Sequence, residues 1–196
     1  MGYCREAPNA GAIWFMMHGN AGQAADRDYV LPRMSGQDSL YVLEYPGYGS
    51  RAGSPSLDTI NQAASSAYRL LRERHPRTAI CVLGESLGSG PACAMARETV
   101  APDKIVLVVP FDDLASVAAQ HFPFLPVRLL LRDSWDNVRS LAGYAGPIEI
   151  FGARDDEIIP IEHARALAKK VPGAQFTEIA GGHNDWAQTD QVKIRR

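Results

Sequence analysis

Cysteine is scarce in this 196-residue chain: Cys4, Cys81 and Cys93 are all there are. The number is odd, and neither C-x-x-C nor H-E-x-x-H occurs, so a disulfide framework and the common zinc signatures are excluded. Cys81 stands in an apolar run and Cys93 in an Ala-rich stretch, where each reads as a small buried hydrophobe. Positive charge is not in surplus either. The 20 Lys and Arg face 22 Asp and Glu, a formal charge of −2, which leaves nothing to neutralise a phosphate backbone, so nucleic acid is not expected as a partner. No apolar run reaches the roughly 18 residues of a membrane span. The start, MGYCREAPNAG, carries Arg5 and Glu6 before any apolar stretch and does not read as a signal peptide. A reducing, cytoplasmic location is the expectation. With 46% hydrophobic and 21% charged residues, the composition is that of an ordinary globular chain. The length suits one domain, 1–196, with no repeat, linker or low-complexity segment.

Short apolar runs alternate with longer stretches of helical composition. The runs 12–17 (AIWFMM), 40–45, 79–83, 105–109, 148–151 and 175–179 have strand length and β-branched or aromatic content. Between them, 24–34, 57–74, 87–98, 114–120 and 161–170 read as helices, with Pro or Gly at the joins. Continuously apolar strands separated by helices predict a mostly parallel sheet covered on both faces. The stretch 111–146 contains no clear strand and reads as an excursion over one face.

The strand 79–83 runs into Gly84-Glu85-Ser86-Leu87-Gly88, a G-x-S-x-G at a strand-to-helix junction. A serine on so tight a turn needs glycines beside it, because side chains two residues away would collide as the strand folds back. The strand 12–17 ends in His18-Gly19-Asn20-Ala21-Gly22, whose small residues let backbone N–H groups converge on an anion. A histidine there is read as a loop-orienting group rather than a base. After 148–151 comes Gly152-Ala153-Arg154-Asp155-Asp156-Glu157-Ile158-Ile159-Pro160, and after 175–179 comes Ala180-Gly181-Gly182-His183-Asn184-Asp185. Serine, acid and histidine thus follow one another in chain order, each just past a parallel strand, where open α/β sheets bind their ligands. Two other patterns fail. Gly47–Ala52 matches G-x-G-x-x-A, but Gly53 and Pro55 follow where a dinucleotide fold would already be helical. Gly84–Gly90 lacks the Gly-Lys-Ser/Thr of a phosphate-binding loop.

Together, HGNAG (18–22), YPGYGS (45–50), GESLGSG (84–90), DEIIP (156–160) and GHND (182–185) resemble the α/β-hydrolase-fold serine hydrolases over nearly the whole chain. The segment Pro110–Leu131 is similar to the stretch that follows the sixth strand in that group. The resemblance implies a sheet of about seven strands with helices on both faces, and an excursion at about 111–146 between the sixth and seventh strands of the family's count. It also implies an N-terminal strand and a C-terminal helix shorter than usual, since only Trp186, Val192 and Ile194 offer apolar contacts after His183. An uncovered sheet edge would then favour a homodimer.

Carried over by position, the resemblance makes Ser86 the nucleophile and His183 the general base. The backbone N–H groups of Asn20 and Leu87 become the oxyanion hole. For the acid, counting from the glycine selects Asp155 and counting back from the proline selects Asp156. Because DEIIP is the better local match, Asp156 is taken, with Asp155 the alternative; Asp112 after the sixth strand reads as a helix cap. The implied activity is hydrolysis of a small-molecule ester or thioester through an acyl-enzyme, with no cofactor and no metal. An amidase or peptidase on the same residues, or a non-catalytic binding or scaffold domain of this fold, are the alternatives. Phe122, Phe124, Leu125 and Leu129–Leu131 are candidate acyl-pocket residues, and so short an excursion implies an open site.

Overall fold

The computed structural model describes residues 2–121, 124 and 134–196. Seven strands form one sheet in the order β1-β3-β2-β4-β5-β6-β7. They are β1 (Gly2–Arg5), β2 (Ala12–Met17), β3 (Ser39–Leu43), β4 (Ala79–Glu85), β5 (Lys104–Val108), β6 (Ile148–Ala153) and β7 (Gln175–Ile179). Only β1 is antiparallel, pairing Gly2 with Leu43 and Arg5 with Leu40. The other six are parallel, so their C-terminal ends all reach one edge of the sheet. That common edge is what brings the loops beginning at His18, Ser86, Arg154 and Ala180 together.

The apolar run of β2 is explained by its two faces. Ile13, Phe15 and Met17 enter one core layer with Ile80, Val82, Ile105 and Leu107. Trp14 and Met16 enter the opposite layer with Cys81, Leu83, Val106 and Val108. Both layers are covered, so alternation with polar residues is absent. The first layer is closed by α1 (Leu57–Arg74), α2 (Ser89–Ala94), α4 (Asn137–Leu141) and α5 (Ile161–Lys170). In α1, Ile60, Ala63, Ala64, Tyr68 and Leu71 form the buried stripe, and the Ser56 hydroxyl caps the helix by accepting from the Thr59 N–H at 3.1 Å.

Two expected helices take a different form. Residues Ala24–Arg33 are 3₁₀ turns interrupted at Arg27, with Pro32 near their end removing a backbone donor. The stretch after Ser86 is a 3₁₀ turn (Ser86–Gly88), then α2, then a second 3₁₀ turn (Met95–Arg97). After the 3₁₀ turn Trp186–Gln188 the chain runs without helix, and Val192 and Ile194 are fully buried against the second layer. Their spacing of two suits extended backbone, which the Ile194 N–H ties to the Arg33 carbonyl at 2.9 Å. The excursion leaves and returns side by side: Asp113 and Asp136 form a single antiparallel bridge at its base, next to α3 (Leu114–His121).

Candidate active site

Ser86 sits directly after β4 at φ +52°, a left-handed conformation that costs a non-glycine residue about 1–2 kcal/mol. Packing holds it there. A Cβ on Gly88 would fall on the carbonyl oxygen of Met17 at the end of β2, and one on Gly84 would lie 2.6 Å from the Ala92 Cβ. Either would force β4 away from its neighbours. Behind the turn, the Ser89 hydroxyl donates to the Ser86 carbonyl at 2.7 Å. It accepts in turn from Asn137 Nδ2 at 3.1 Å, which also donates to the Phe111 carbonyl at 2.8 Å.

Asp156 is buried in the loop after β6. Its Oδ1 accepts from the backbone N–H groups of Ile158 at 2.9 Å and Ile159 at 2.8 Å, and its Oδ2 lies 2.7 Å from His183 Nδ1. A carboxylate only accepts, so Nδ1 carries the hydrogen and Nε2 presents a lone pair. Nε2 is 2.8 Å from Ser86 Oγ. The array is therefore set to move a proton from the serine hydroxyl to the imidazole. Asp155 points elsewhere: its side chain is exposed, and its N–H donates to the Gly181 carbonyl at 3.0 Å. Asp112 is engaged by other groups, His163 Nδ1 at 2.7 Å and Lys170 Nζ at 3.0 Å. Burial pushes the Asp112 carboxyl up, but the hydrogen bonds and charges of His163 and Lys170 outweigh it and bring the pKa down to about 2.

His18 is fully buried and stacks on Tyr45, with ring centroids 4.4 Å apart. Burial lowers its pKa to about 4, so the ring is neutral at pH 7. Its Nδ1 donates to the Gly19 carbonyl at 2.8 Å, while the Tyr45 hydroxyl donates to its own carbonyl at 2.7 Å. In a trans peptide the N–H points opposite to the C=O. The bond to the Gly19 carbonyl therefore turns the Asn20 N–H away from the His18 ring. A Cβ on Gly19 would stand 3.4 Å from the Ser86 Cβ, so this loop abuts the serine. The Asn20 side chain accepts from the Tyr48 hydroxyl at 2.6 Å. Leu87 lies in the first turn after the serine, where N–H groups have no partner within the turn. Among the described residues, no cluster of three or more His, Cys, Asp and Glu side chains is arranged to hold a metal ion.

No family model matches the chain. The uncharacterized protein Rv2307c of Mycobacterium tuberculosis is 30% identical over 181 residues, covering 90% of this chain and 64% of that protein. The lysophosphatidylserine lipase ABHD12 of Danio rerio is 26% identical over 202 residues, covering 85% of this chain and 52% of that protein. Other relatives are named alpha/beta hydrolase domain-containing proteins. Among solved structures, Est1E from Butyrivibrio proteoclasticus with ferulic acid bound superposes with a TM-score of 0.73 at 16% identity, over 92% of this chain and 86% of that one. The chain has the α/β-hydrolase fold and is similar in sequence to alpha/beta hydrolase domain-containing proteins. It spans between about half and just under two thirds of the length of these two relatives.

Within this α/β-hydrolase fold the residues 18–20, 86–87, 156 and 183 meet at one sheet edge. Most of the candidate acyl-pocket residues, Phe122, Leu125 and Leu129–Leu131, lie outside the described residues; Phe124 is 98% exposed. The sequence reading passed over Glu85 and Tyr29 and took Trp186 only as an apolar contact; the three side chains meet beside Ser86. Glu85 occupies the variable position of G-x-S-x-G, and its partners lie 56 and 101 residues away, so no local pattern marks them. Among the described residues no helix is long and apolar enough to cross a membrane.

Proposed function

We propose that this α/β-hydrolase-fold protein is a serine hydrolase that cleaves an acyl ester or thioester through an acyl-enzyme. The observation that carries the reading is the unbroken hydrogen-bond chain from Ser86 Oγ through His183 to Asp156, at 2.8 and 2.7 Å. His183 takes the serine proton as Oγ attacks the acyl carbonyl, and Asp156 holds the ring in the required tautomer and stabilises the imidazolium. The backbone N–H groups of Asn20 and Leu87 receive the oxyanion, each such donor being worth about 3–4 kcal/mol when water is excluded. His183 then returns its proton to the departing alcohol or thiol, and water repeats the sequence to release the acid.

An ester is favoured over an amide by the relatives named lysophosphatidylserine lipase and by solved neighbours named esterases. The test is a panel of esters, thioesters and amides with wild type and Ser86→Ala, together with labelling by a fluorophosphonate probe. Hydrolysis and labelling should both vanish in Ser86→Ala. Turnover that survives the substitution would sink the proposal, and a wild type that neither labels nor turns over would favour a binding domain of the same fold.

A further inference from the structure

A second buried carboxylate, Glu85, lies one residue before the proposed nucleophile and takes no part in the proton transfer. It is 9% exposed. Three segments distant in the chain donate to it: the Tyr29 hydroxyl at 2.8 and 2.7 Å from its two oxygens, Trp186 Nε1 at 2.9 Å from Oε1, and the Gly19 backbone N–H at 3.3 Å from Oε2. Only a group with two accepting oxygens and no hydrogen can serve donors on both sides at once. Hydrogen bonds to a charged acceptor are also about twice as strong as neutral ones.

The Gly19 bond has a geometric consequence. The peptide joining His18 to Gly19 is held at both ends, its N–H by Glu85 and its C=O by the Tyr45 hydroxyl. The next peptide carries the Asn20 N–H proposed to receive the oxyanion. Trp186 belongs to the turn that carries His183, three residues earlier, so the same carboxylate touches both sides of the site. A negative charge so near a developing oxyanion opposes it, but the three donors draw that charge off. Arg27 adds a positive charge behind them, with Nη1 3.4 Å from the Tyr29 hydroxyl.

We infer that Glu85 is a positioning residue, which orients the Gly19–Asn20 peptide for oxyanion stabilisation. The inference rests on the serine-hydrolase reading. Its test uses the asymmetry of a carboxamide, which has one accepting oxygen and one donating NH₂ and so cannot accept from both Gly19 and Trp186. Glu85→Gln should lower kcat by about tenfold with KM within about twofold, because misaligning a donor costs part of the 10²–10³ lost when one is removed. Hydrogen exchange at the Gly19 amide, followed by NMR, should quicken by about tenfold. The double variant Glu85→Gln/Trp186→Phe removes the competing N–H, lets the amide oxygen turn to Gly19, and should recover most of the lost kcat. A loss of general structural origin would deepen instead.

A Glu85→Gln kcat within twofold of wild type, unchanged Gly19 exchange, or a double variant no better than the single one each overturns the inference. If Glu85→Gln does not fold, Tyr29→Phe replaces it: a kcat loss of about threefold at constant KM supports the role, and no change refutes it. Ser86→Ala separates the two levels. Hydrolysis persisting there removes the serine-nucleophile reading, whereas the exchange measurement at Gly19 judges Glu85 without any turnover.

Discussion

Acidification below pH 6.5 should destabilise this protein through His18. The ring is fully buried, and burial displaces its pKa from 6.5 to about 4. In the unfolded chain it protonates near pH 6.5. Between pH 6.5 and 4 the unfolded state therefore binds the extra proton, and the folded state loses stability as pH falls through that window. Above it the contribution is fully present; below it nothing more is lost. At 1.36 kcal/mol per pH unit the displacement is worth about 3 kcal/mol, or about 6–12 °C in melting temperature for a chain of this size. A competing effect has the opposite sign, since Glu44 Oε1 lies 3.6 Å from His18 Nε2 and would welcome a proton there. That contact is longer than a hydrogen bond, and the cost of burying the imidazolium outweighs it. The assay is thermal unfolding from pH 7.5 to 4 of wild type and His18→Asn, whose amide keeps a donor near the Gly19 carbonyl but does not titrate. The difference between the two isolates His18 from the other histidines. The wild-type advantage should shrink by about 3 kcal/mol on acidification. An advantage that stays constant or grows as pH falls would show that an imidazolium–Glu44 pair governs the site, and would refute the reasoning.

Two further outcomes follow from the same geometry. Asp156→Asn should lower kcat by about 10⁴, as expected when the acid that fixes a histidine tautomer is lost, while Asp155→Asn stays within about twofold; comparable losses in steady-state assays would mean the two carboxylates share the role. Gly88→Ala places a methyl on the Met17 carbonyl, backbone against backbone with no rotamer to relieve it, so urea unfolding should show a loss above about 3 kcal/mol. An unchanged midpoint would mean that the turn and β2 are not in close contact.

Much of the fold was readable because its signals are local. A strand buried on both faces must be apolar along its length: β2 is so at every position, and β4 and β5 carry a charged residue only at one end, Glu85 and Lys104. The amphipathic stripe of α1 repeats every three to four residues, whereas the shortened N-terminal strand, β1, was expected only from the family resemblance. Less legible were the 3₁₀ turns at Ala24–Arg33, because an apolar pattern does not distinguish an α-helix from tighter turns broken at Arg27. The tail after Trp186 offered too few apolar residues for a helical face, and what those residues do, packing as extended chain against Arg33 and the second core layer, depends on a surface built by other elements.

By itself the sequence determined the order of the parts: six parallel strands, the glycines on either side of Ser86, and the acidic and histidine loops that follow β6 and β7. These are set by residue size and by the period of burial, which act over a few neighbours. Tertiary structure alone decided which polar atoms face one another. Asp155 and Asp156 are adjacent in the chain, yet one carboxylate points to solvent and the other to His183, because the loop wraps the Ile158 and Ile159 N–H groups around Asp156 Oδ1. Likewise, nothing near Glu85 in the chain announces its bonds to Gly19, Tyr29 and Trp186. A buried carboxylate must collect donors from whatever segments the fold brings within 3 Å or so, and that is settled only once the sheet has closed.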